Sequence, residues 1–315
     1  MNHNSNNSSI KVLVAPSWEL AQSIENPTVT IEAEWGSKVL EGSTFTACHH
    51  QPGQENWPAP CNNERIPAIT NGTIVLSHLD HDCIGGTLRA LGHEHLFSVE
   101  YQSFWDLAED ADKNGPRVLS YHSQEDQDRI NALWAYLKSI PFTSRDKVTD
   151  VTETIYKCSQ VIQEILEGND NRLEMGRKWV KYNEELADTS YHSTLPLENV
   201  DGGLQVRVIK ELDPATGKGG FVNHLYGDDA AIAAFCKPLG TITISQKNPE
   251  VTKVICRNVM QSLFGAEAGG HAGIAGGNRE GGHSQEDFEK TINAFQQALN
   301  NAALETKETG EEENE

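Results

Sequence analysis

The chain has 315 residues, a net charge of −21 at neutral pH and 37 % hydrophobic residues. This length is enough for two domains of ordinary size. No segment approaches the roughly 18–20 consecutive apolar residues that a membrane span needs. The N-terminus is polar and uncharged and lacks the basic and apolar segments of a signal peptide, so we expect a cytoplasmic protein that does not contact a membrane.

The negative net charge limits which ligands the protein can bind. Long duplex DNA is a poor candidate, because its binding depends on many Lys and Arg contacts to phosphates. A small phosphorylated molecule or short oligonucleotide held by metal ions remains compatible with an acidic protein, since a local site can still be positive.

The six cysteines are scattered without a CxxC pair, which is typical of reduced thiols. A homodimer is left open.

The first half of the chain predicts a parallel α/β domain over residues 11–148, after a disordered start at 1–10. Apolar runs predict buried strands, and apolar residues at helical spacing predict helices. The strands are expected at 11–15, 28–34 and 73–77, and the helices at 87–92, 103–112 and 124–139. Residues 42–67 are rich in Gly, Pro, Asn and His, and a loop of that length is often functional.

The second half predicts a helical connector at 149–195 and a smaller α/β domain at 196–304. An acidic tail at 305–315 is expected to be disordered. Strands are expected at 203–210, 219–226 and 240–246, and helices at 227–240 and 284–304. Ser284 is a suitable N-cap for the last helix, because its hydroxyl can accept from a free backbone N–H group. The fold class is therefore α/β, with a parallel N-terminal sheet joined by helices to the smaller C-terminal domain.

An acidic turn follows the strand at 73–77. On an extended segment, residues two apart point to the same side, so His78, Asp80 and Asp82 are expected to project together from the strand end. Carboxylates and an imidazole suit Mn²⁺ or another divalent ion such as Mg²⁺ or Zn²⁺. Gly85 and Gly86 are expected to let the backbone approach a ligand. The alternative is a solvated acidic turn, because Asp is common in turns.

A second candidate site is the glycine-rich segment 265–282. Glycines free backbone N–H groups to face an anion. Between them, His271 can donate to a phosphate oxygen, and Arg279 can pair with a phosphate or carboxylate through two contacts. The alternative is a flexible linker, although linkers use Ser, Thr and charge more than His, Ile and Ala. His224, at the end of a predicted strand, is a further candidate for substrate contact or a paired core histidine.

Two short motifs are shared with a known family. Residues His78, Asp80, Asp82 and Gly85 match His-x-Asp-x-Asp-x-x-Gly, and Gly269, Gly270, His271, Ala275 and Gly276 match Gly-Gly-His-x-x-Ala-Ala-Gly, with Ile274 where Ala is usual. The chain thus resembles the DHH phosphoesterase superfamily with its DHH-associated C-terminal domain. The resemblance implies two Mn²⁺ ions between the domains, which activate a water that attacks phosphorus.

The sequence departs from this family at the Asp-His-His tripeptide, which is absent. Asp112 begins a turn that can occupy the place of the tripeptide, and Asp106 can serve as a separate acidic ligand. The alternative is an acidic helix that ends at Asn114. Without the tripeptide, the centre holds one metal ion or recruits other histidines.

These candidates are assigned the following roles. Catalytic residues are expected to be His78, Asp80, Asp82 and His271; substrate-binding residues Gly269, Gly270, His271, Gly276, Arg279 and His224; and metal ligands His78, Asp80, Asp82, Asp106 and Asp112. The expected reaction is hydrolysis of a phosphoester or phosphoanhydride.

Two other functions stay open. Cys48, His49, His50 and Cys61 lie in the long loop before the acidic turn, where they can supply metal ligands or a lid, or indicate a metal-dependent amide or acyl hydrolase. A protein that binds a nucleotide without turnover is the other alternative.

Overall fold

The computed structural model describes residues 9–51, 53–54, 56–141, 144, 146–192, 195–196, 206–209, 231–236, 240–246, 249–266, 268–277 and 282–312. By its internal contacts the chain divides into two compact units. The first contains Met1–Asp112 and Val118–Val180, and the second contains Lys113–Arg117 and Lys181–Glu315. The α/β class predicted from the sequence is confirmed, with a parallel-rich sheet in the N-terminal unit and a second sheet in the smaller C-terminal unit.

The first unit contains seven of the described strands and six of the described helices, the last of which continues into the second unit. The strands are β1 (Ser9–Val14), β2 (Val29–Ile31), β3 (Glu34–Trp35), β4 (Lys38–Val39), β5 (Phe45–Ala47), β6 (Asn71–Leu76) and β7 (Thr149–Asp150). The helices are α1 (Trp18–Ala21), α2 (His81–Ala90), α3 (Gln102–Asn114), α4 (Gln124–Ser139), α5 (Thr152–Leu166) and α6 (Asp170–His192). Short 3₁₀ turns cover Pro60–Asn62, Glu94–Phe97, Val99–Tyr101 and Pro116–Tyr121.

The main sheet has the order β5-β2-β6-β1-β7, with the first four strands parallel and β7 antiparallel at the edge. Alternation along β6 assigns its side chains to two faces. Ile74 and Leu76 join the larger core, whereas Val75 joins a smaller cluster on the other face. The sheet is therefore covered on both faces, as buried parallel strands require.

Helix α5 belongs to this larger core, although the sequence assigned it to a connector. Its residues Ile155, Cys158, Ile162 and Ile165 recur at helical spacing and are fully buried in the core of the first unit. β1 begins at Ser9, inside the segment for which disorder was predicted.

The second unit contains a six-stranded sheet in the order β12-β13-β11-β10-β9-β8. Its strands are β8 (Leu195–Pro196), β9 (Val206–Ile209), β10 (Ala231–Cys236), β11 (Thr241–Gln246), β12 (Gly269–Gly270) and β13 (Ile274–Gly277). Its further helices are α7 (Pro249–Thr252), α8 (Cys256–Phe264) and α9 (Gln285–Glu312). In the part of the chain that the structure describes, none of the helices combines the length and apolar composition of a membrane span.

The prediction of a helix at 227–240 is wrong for residues 231–236, which the structure describes as a strand. Ala231–Cys236 forms β10, which pairs in parallel with β9 and antiparallel with β11. Ala favours helices, but a short apolar run cannot be assigned by periodicity alone, and pairing on both sides overrides propensity. The last helix begins as predicted, because the Ser284 hydroxyl accepts from the Asp287 N–H at 3.1 Å. It continues to Glu312, into the tail expected to be disordered.

Candidate metal centre

Acidic and imidazole side chains gather at one edge of the main sheet. Strands β2, β5 and β6 are parallel, so their carboxyl ends lie at the same edge. Glu32 follows β2, His49 and His50 follow β5, and His78 follows β6. Ligands bind at this edge in open parallel sheets. The edge therefore brings together residues that lie far apart in the sequence.

Glu32 occupies the middle of this cluster and was missed by the sequence reasoning. It is 1 % exposed. Its backbone N–H donates to the Ala47 carbonyl at 2.8 Å, and its φ is +45°. A non-glycine residue in this region costs roughly 1–3 kcal/mol and persists only where its surroundings fix it, which occurs often at functional sites. The available signal was a carboxylate within the strand predicted at 28–34, near its carboxyl end.

Four side chains form the first group that can hold one metal ion: Glu32, His49, Asp82 and Asp112. The Nε2 atom of His49 contacts Glu32 Oε1 and lies 3.6 Å from Asp82 Oδ2 and 3.3 Å from Asp112 Oδ2. Three carboxylates and one imidazole provide the oxygen and nitrogen ligands that Mn²⁺ and similar ions accept. Asp112 lies within α3, as the alternative of an acidic helix ending at Asn114 predicted, and not in the turn that was expected to replace the tripeptide. Its carboxylate nevertheless joins Asp82 in this group.

Asp82 shows most clearly that this group fits a cation. It is 0 % exposed, and neither carboxylate oxygen accepts a hydrogen bond from a donor in the described residues. Burial, followed by the charges of Asp112, Asp80 and Glu32, raises the pKa of Asp82 well above its usual range. A buried carboxylate without donors is costly. A divalent ion would supply the missing positive charge.

A second group lies on the other side of Glu32 and contains Glu32, His78, Asp80 and Cys83. The His78 Nε2 atom lies 2.8 Å from Asp80 Oδ2 and 3.6 Å from Glu32 Oε2. Asp80 also caps α2, because its Oδ1 accepts from the Cys83 N–H at 3.1 Å. The helix cap and the contact with His78 fix the orientation of this carboxylate.

The histidines set the charge of the cluster. Partial burial opposes protonation of His78, but Asp80 and Glu32 outweigh it and raise its pKa to about 9. Burial likewise opposes protonation of His50, and Glu32, whose Oε1 lies 3.0 Å from the ring Nε2, raises its pKa to about 10. Burial would raise the pKa of Glu32, yet His50 and His49 hold it well below its usual range. The metal-free cluster is therefore a network of imidazolium and carboxylate groups.

The two aspartates of the acidic turn belong to different groups. The sequence predicted an extended segment that directs His78, Asp80 and Asp82 to one metal ion. Instead, α2 begins at His81, directly after its cap Asp80. Each helical residue turns by about 100°, so Asp82 faces another direction from Asp80. The prediction of a shared extended face is wrong, although both aspartates do lie in the cluster.

The glycines after the turn pack against protein. A Cβ atom added at Gly85 would lie 2.5 Å from Cys61 Cβ and 2.9 Å from Trp105 Cζ3, and one at Gly86 would lie 2.6 Å from Pro60 Cβ. The interpretation that these glycines expose the backbone to a ligand is therefore wrong. They let α2 approach the turn at residues 60–62, which holds the helix carrying Asp82 in place.

Asp106 lies outside both groups, in contrast to its predicted role as a metal ligand. It is exposed, and its Oδ1 accepts from Asn62 Nδ2 at 2.9 Å and from Gln102 Nε2 at 2.8 Å. Asn62 also donates to Glu109 Oε2 at 2.8 Å. Asp106 lies within helix α3, almost two turns before Asp112, and its carboxylate ties α3 to the turn at residues 60–62.

Comparisons with known proteins found weak structural likenesses alone. No protein-family model and no curated protein matches this chain. Among solved structures, it is weakly similar to a pGpG-specific phosphodiesterase, PggH, from Vibrio cholerae. The identity is 13 % and the TM-score 0.39, over 87 % of this chain and 99 % of that one. An uncharacterized protein from Helicobacter pylori G27 aligns at 9 % identity and a TM-score of 0.23, over 73 % and 69 % of the two chains. At these values neither likeness assigns an activity.

The glycine-rich segment forms a hairpin where a loop was expected. Gly269–Gly270 pairs with Ile274–Gly277, and Gly276 lies opposite both Gly269 and Thr243 of β11. The His271 N–H donates to the Ile274 carbonyl at 2.7 Å, which closes the turn. The hydrogen bonds between these strands therefore occupy some of the backbone groups that were expected to face an anion. Arg279 and His224 lie outside the described residues, and substrate binding by His271 stays a prediction.

The cysteines of the long loop do not provide a reactive thiol. Cys61 is 0 % exposed, and burial, followed by the charge of Asp112, raises the pKa of its thiol well above the usual range. Burial raises the pKa of Cys48 to about 12. Of the loop residues that were expected to supply metal ligands, neither Cys48 nor Cys61 belongs to a metal-capable group of the described residues, whereas His49 joins the carboxylates.

Proposed function

We propose that this protein is a metal-dependent hydrolase of a phosphoester or phosphoanhydride bond in a small nucleotide or short oligonucleotide, and a divergent relative of the DHH phosphoesterases. The proposal rests on the two adjacent groups at the sheet edge. The order of the motif residues His78, Asp80, Asp82 and Gly85, with the later glycine-histidine segment, supports the family relationship.

The observation that carries the proposal is the position of the Glu32 carboxylate between the two groups. Its Oε1 atom contacts His49, and its Oε2 atom lies 3.6 Å from His78 and accepts from Cys83 Sγ at 3.3 Å. A carboxylate with one oxygen in each group can bridge two ions. Pairs of ions about 3.5–4 Å apart serve phosphatases, nucleases and some peptidases.

The ligands favour divalent cations of the Mn²⁺ type at the group that contains Asp82. His49 would bind through Nε2, and Glu32, Asp82 and Asp112 through carboxylate oxygens. When bound, such ions lower the pKa of a coordinated water and polarise a phosphoryl oxygen. The chain itself positions these ligands by the ends of the parallel strands β2 and β5 and by the helices α2 and α3, and most of them are buried from water.

His50 supplies a contact for the substrate beside the ligands. Its side chain is 26 % exposed, and Glu32 orients its ring. An imidazolium at this place can donate a charge-assisted hydrogen bond to a phosphate oxygen. His271, in the glycine-rich segment, stays a proposed substrate contact.

The buried thiols favour this chemistry over acyl transfer to cysteine. A nucleophilic cysteine needs a thiolate, and burial opposes that form at Cys48 and Cys61. Metal-assisted hydrolysis of an acyl substrate uses the same ion chemistry, so a substrate panel has to separate it from phosphoester hydrolysis.

The experiment measures metal content and turnover together. Metal-free protein is titrated with Mn²⁺ in equilibrium dialysis. It is then assayed with bis(4-nitrophenyl) phosphate, 4-nitrophenyl phosphate, pyrophosphate, the dinucleotide pGpG and 4-nitrophenyl acetate. We expect two bound ions and Mn²⁺-dependent release of product from at least one phosphorylated substrate. Glu32→Gln and Asp82→Asn should lose metal and turnover, whereas the matched control Asp106→Asn should keep both.

Three outcomes overturn the proposal. Equal metal binding by the wild type and by both cluster variants would exclude the site. Turnover of the acetate ester alone would assign acyl hydrolysis. Thermal stabilisation by pGpG without product would assign a binding protein.

A further inference from the structure

Among the described cysteines, Cys83 is the one that belongs to a group able to hold a metal ion. It is the third residue of α2 and is 0 % exposed. Its sulfur faces the polar cluster: Sγ lies 3.3 Å from Glu32 Oε2 and 4.0 Å from His78 Nε2. Cys158, which lies in the same hydrophobic core as Cys83, belongs to no metal-capable group of the described residues. A sulfur atom aimed at a carboxylate and an imidazole is placed as a ligand would be.

We propose that Glu32, His78, Asp80 and the Cys83 thiolate bind a thiophilic divalent cation of the Zn²⁺ type, so that the two positions of the centre hold chemically different metals. This inference rests on the proposed function, because it assigns the second position of the same centre. The other position, with three carboxylates and His49, would keep Mn²⁺.

The spacing of the ligand atoms fits a small tetrahedral site. Zinc binds sulfur at about 2.3 Å and nitrogen or oxygen at about 2.0–2.2 Å, which separates tetrahedral ligands by about 3.3–3.7 Å. The separations here are 3.3 Å for Cys83 Sγ and Glu32 Oε2, 3.6 Å for His78 Nε2 and Glu32 Oε2, and 4.0 Å for Cys83 Sγ and His78 Nε2. The His78–Asp80 contact of 2.8 Å is a hydrogen bond and would open by less than 1 Å around an ion of this size.

The difference between the two ligand sets supports different metals. Thiolate is a soft ligand that selects Zn²⁺ and related ions, whereas carboxylates suit Mn²⁺ and Mg²⁺. Only the second set contains sulfur among the groups found in the described residues. When the metal–sulfur bond forms, the thiol proton leaves to the buffer, and no change in oxidation state is needed.

Cobalt provides a direct test, because Co²⁺ replaces Zn²⁺ and a Co²⁺–thiolate bond absorbs in the near ultraviolet. Metal-free protein is titrated with Co²⁺ and followed by absorbance, while equilibrium dialysis counts the bound ions. We expect the band in the wild type and in Cys158→Ser, and its loss in Cys83→Ser. Competition with Zn²⁺ should show an affinity lower by at least about tenfold in Cys83→Ser, with Mn²⁺ binding retained.

The outcomes separate this inference from the proposed function. The role of Cys83 is overturned if the wild type binds Co²⁺ without a thiolate band, or if the band persists in Cys83→Ser. In either case a metal centre remains, and the Cys83 thiol only donates a hydrogen bond to Glu32. Failure of the wild type to bind Co²⁺, Zn²⁺ or Mn²⁺ overturns both proposals. Circular dichroism confirms that Cys83→Ser is folded, and Cys83→Ala provides a second variant that lacks a ligand atom.

Discussion

The Oδ2 atom of Asp82 lies 3.6 Å from Nε2 of His49, and both side chains are almost completely buried. In the described residues, the ion pairs of Glu32, Asp80 and Asp82 are all with histidines and none is with Lys or Arg. The buried negative charge of this cluster is therefore balanced only in part by the protein, and the imbalance has measurable consequences.

The first prediction concerns Asp82→Asn. Without metal, burial and the neighbouring charges oppose ionisation of Asp82 and raise its pKa, so this group lowers stability at a pH above its unfolded-state pKa. The neutral amide of Asn removes that cost and can donate to neighbouring carboxylates. The free energy of unfolding should rise by about 1–2 kcal/mol. With Mn²⁺ at 100 times its dissociation constant, the wild type should gain about 2.7 kcal/mol and Asp82→Asn almost nothing. Urea unfolding with chelator or Mn²⁺ measures both effects.

Asp106→Asn is the matched control for this prediction. It changes an exposed acid outside the cluster and keeps the oxygen that accepts from Asn62 and Gln102. Its stability should therefore stay within about 0.5 kcal/mol of the wild type, and its response to Mn²⁺ should be unchanged. Loss of metal binding in Asp106→Asn would instead favour the role that the sequence assigned to this residue.

The second prediction is that metal affinity rises with pH. In the metal-free protein, Asp80 and Glu32 raise the pKa of His78 to about 9, and the pKa of Asp82 is also raised. His78 therefore carries a proton near neutral pH, and Asp82 keeps its proton to a higher pH than an ordinary carboxyl; a bound cation must displace both protons. The association constant should therefore increase by up to about tenfold per pH unit for each proton released, until the pH passes about 9.

Calorimetric titration in buffers of different ionisation enthalpy counts the released protons. His78→Gln should release fewer protons than the wild type, whereas His122→Gln, which removes a histidine paired with Asp110 outside the cluster, should release the same number. An affinity that is independent of pH would contradict the protonated state of the metal-free site.

The third prediction concerns Gly85→Ala. The added Cβ would lie 2.5 Å from Cys61 Cβ, so α2 must move away from the turn at residues 60–62. Overpacking of this kind costs about 1–3 kcal/mol. Gly269→Ala is the control, because a Cβ there meets no described atom within 4 Å. Thermal unfolding should show a lower midpoint for Gly85→Ala alone; equal midpoints would mean that the close packing is not required.

The fourth prediction concerns Asn62, whose amide joins the turn at 60–62 to α3. Its Nδ2 donates to Asp106 and Glu109, and its Oδ1 accepts from Gln102 Nε2 at 2.8 Å. Asn62→Ala should lower the free energy of unfolding by about 1–2 kcal/mol. It should also weaken Mn²⁺ binding by about tenfold, because α3 carries Asp112.

Gln124→Ala is the control for Asn62→Ala. Gln124 is exposed, and in the described part of the chain its amide donates to the half-buried Asp128 at 2.9 Å. Denaturant unfolding should therefore change little and Mn²⁺ affinity not at all. Unchanged Mn²⁺ affinity in Asn62→Ala would show that the turn does not position Asp112.

The acidic turn was accessible to sequence reasoning because its residues are local. His78, Asp80 and Asp82 follow a short apolar run, and the structure places them at the end of β6 and the start of α2. Glu32 was not accessible in the same way. A single glutamate after a strand carries no motif, and its meeting with His78 depends on the parallel pairing of β2 and β6.

The errors in the prediction also have physical causes. Ala231–Cys236 was assigned to a helix because alanine favours helices, but its two neighbouring strands decide its conformation. Asp80 and Asp82 were predicted to bind the same metal ion because the alternation of side chains along a strand was assumed to continue beyond the end of the strand. The boundary at Asp80, where the helix begins, changes the direction of every later side chain.

The origin of the cluster in distant segments also bears on how long the folded state lasts. Glu32, His49, Asp82 and Asp112 meet only after β2 has paired with β5 and β6, and such non-local pairings form late because loop closure must come first. The unfolded chain offers no preformed site. Bound cations should therefore slow the opening of the first unit and leave its rate of folding almost unchanged. The occupied metal centre would therefore determine how slowly the main sheet unfolds.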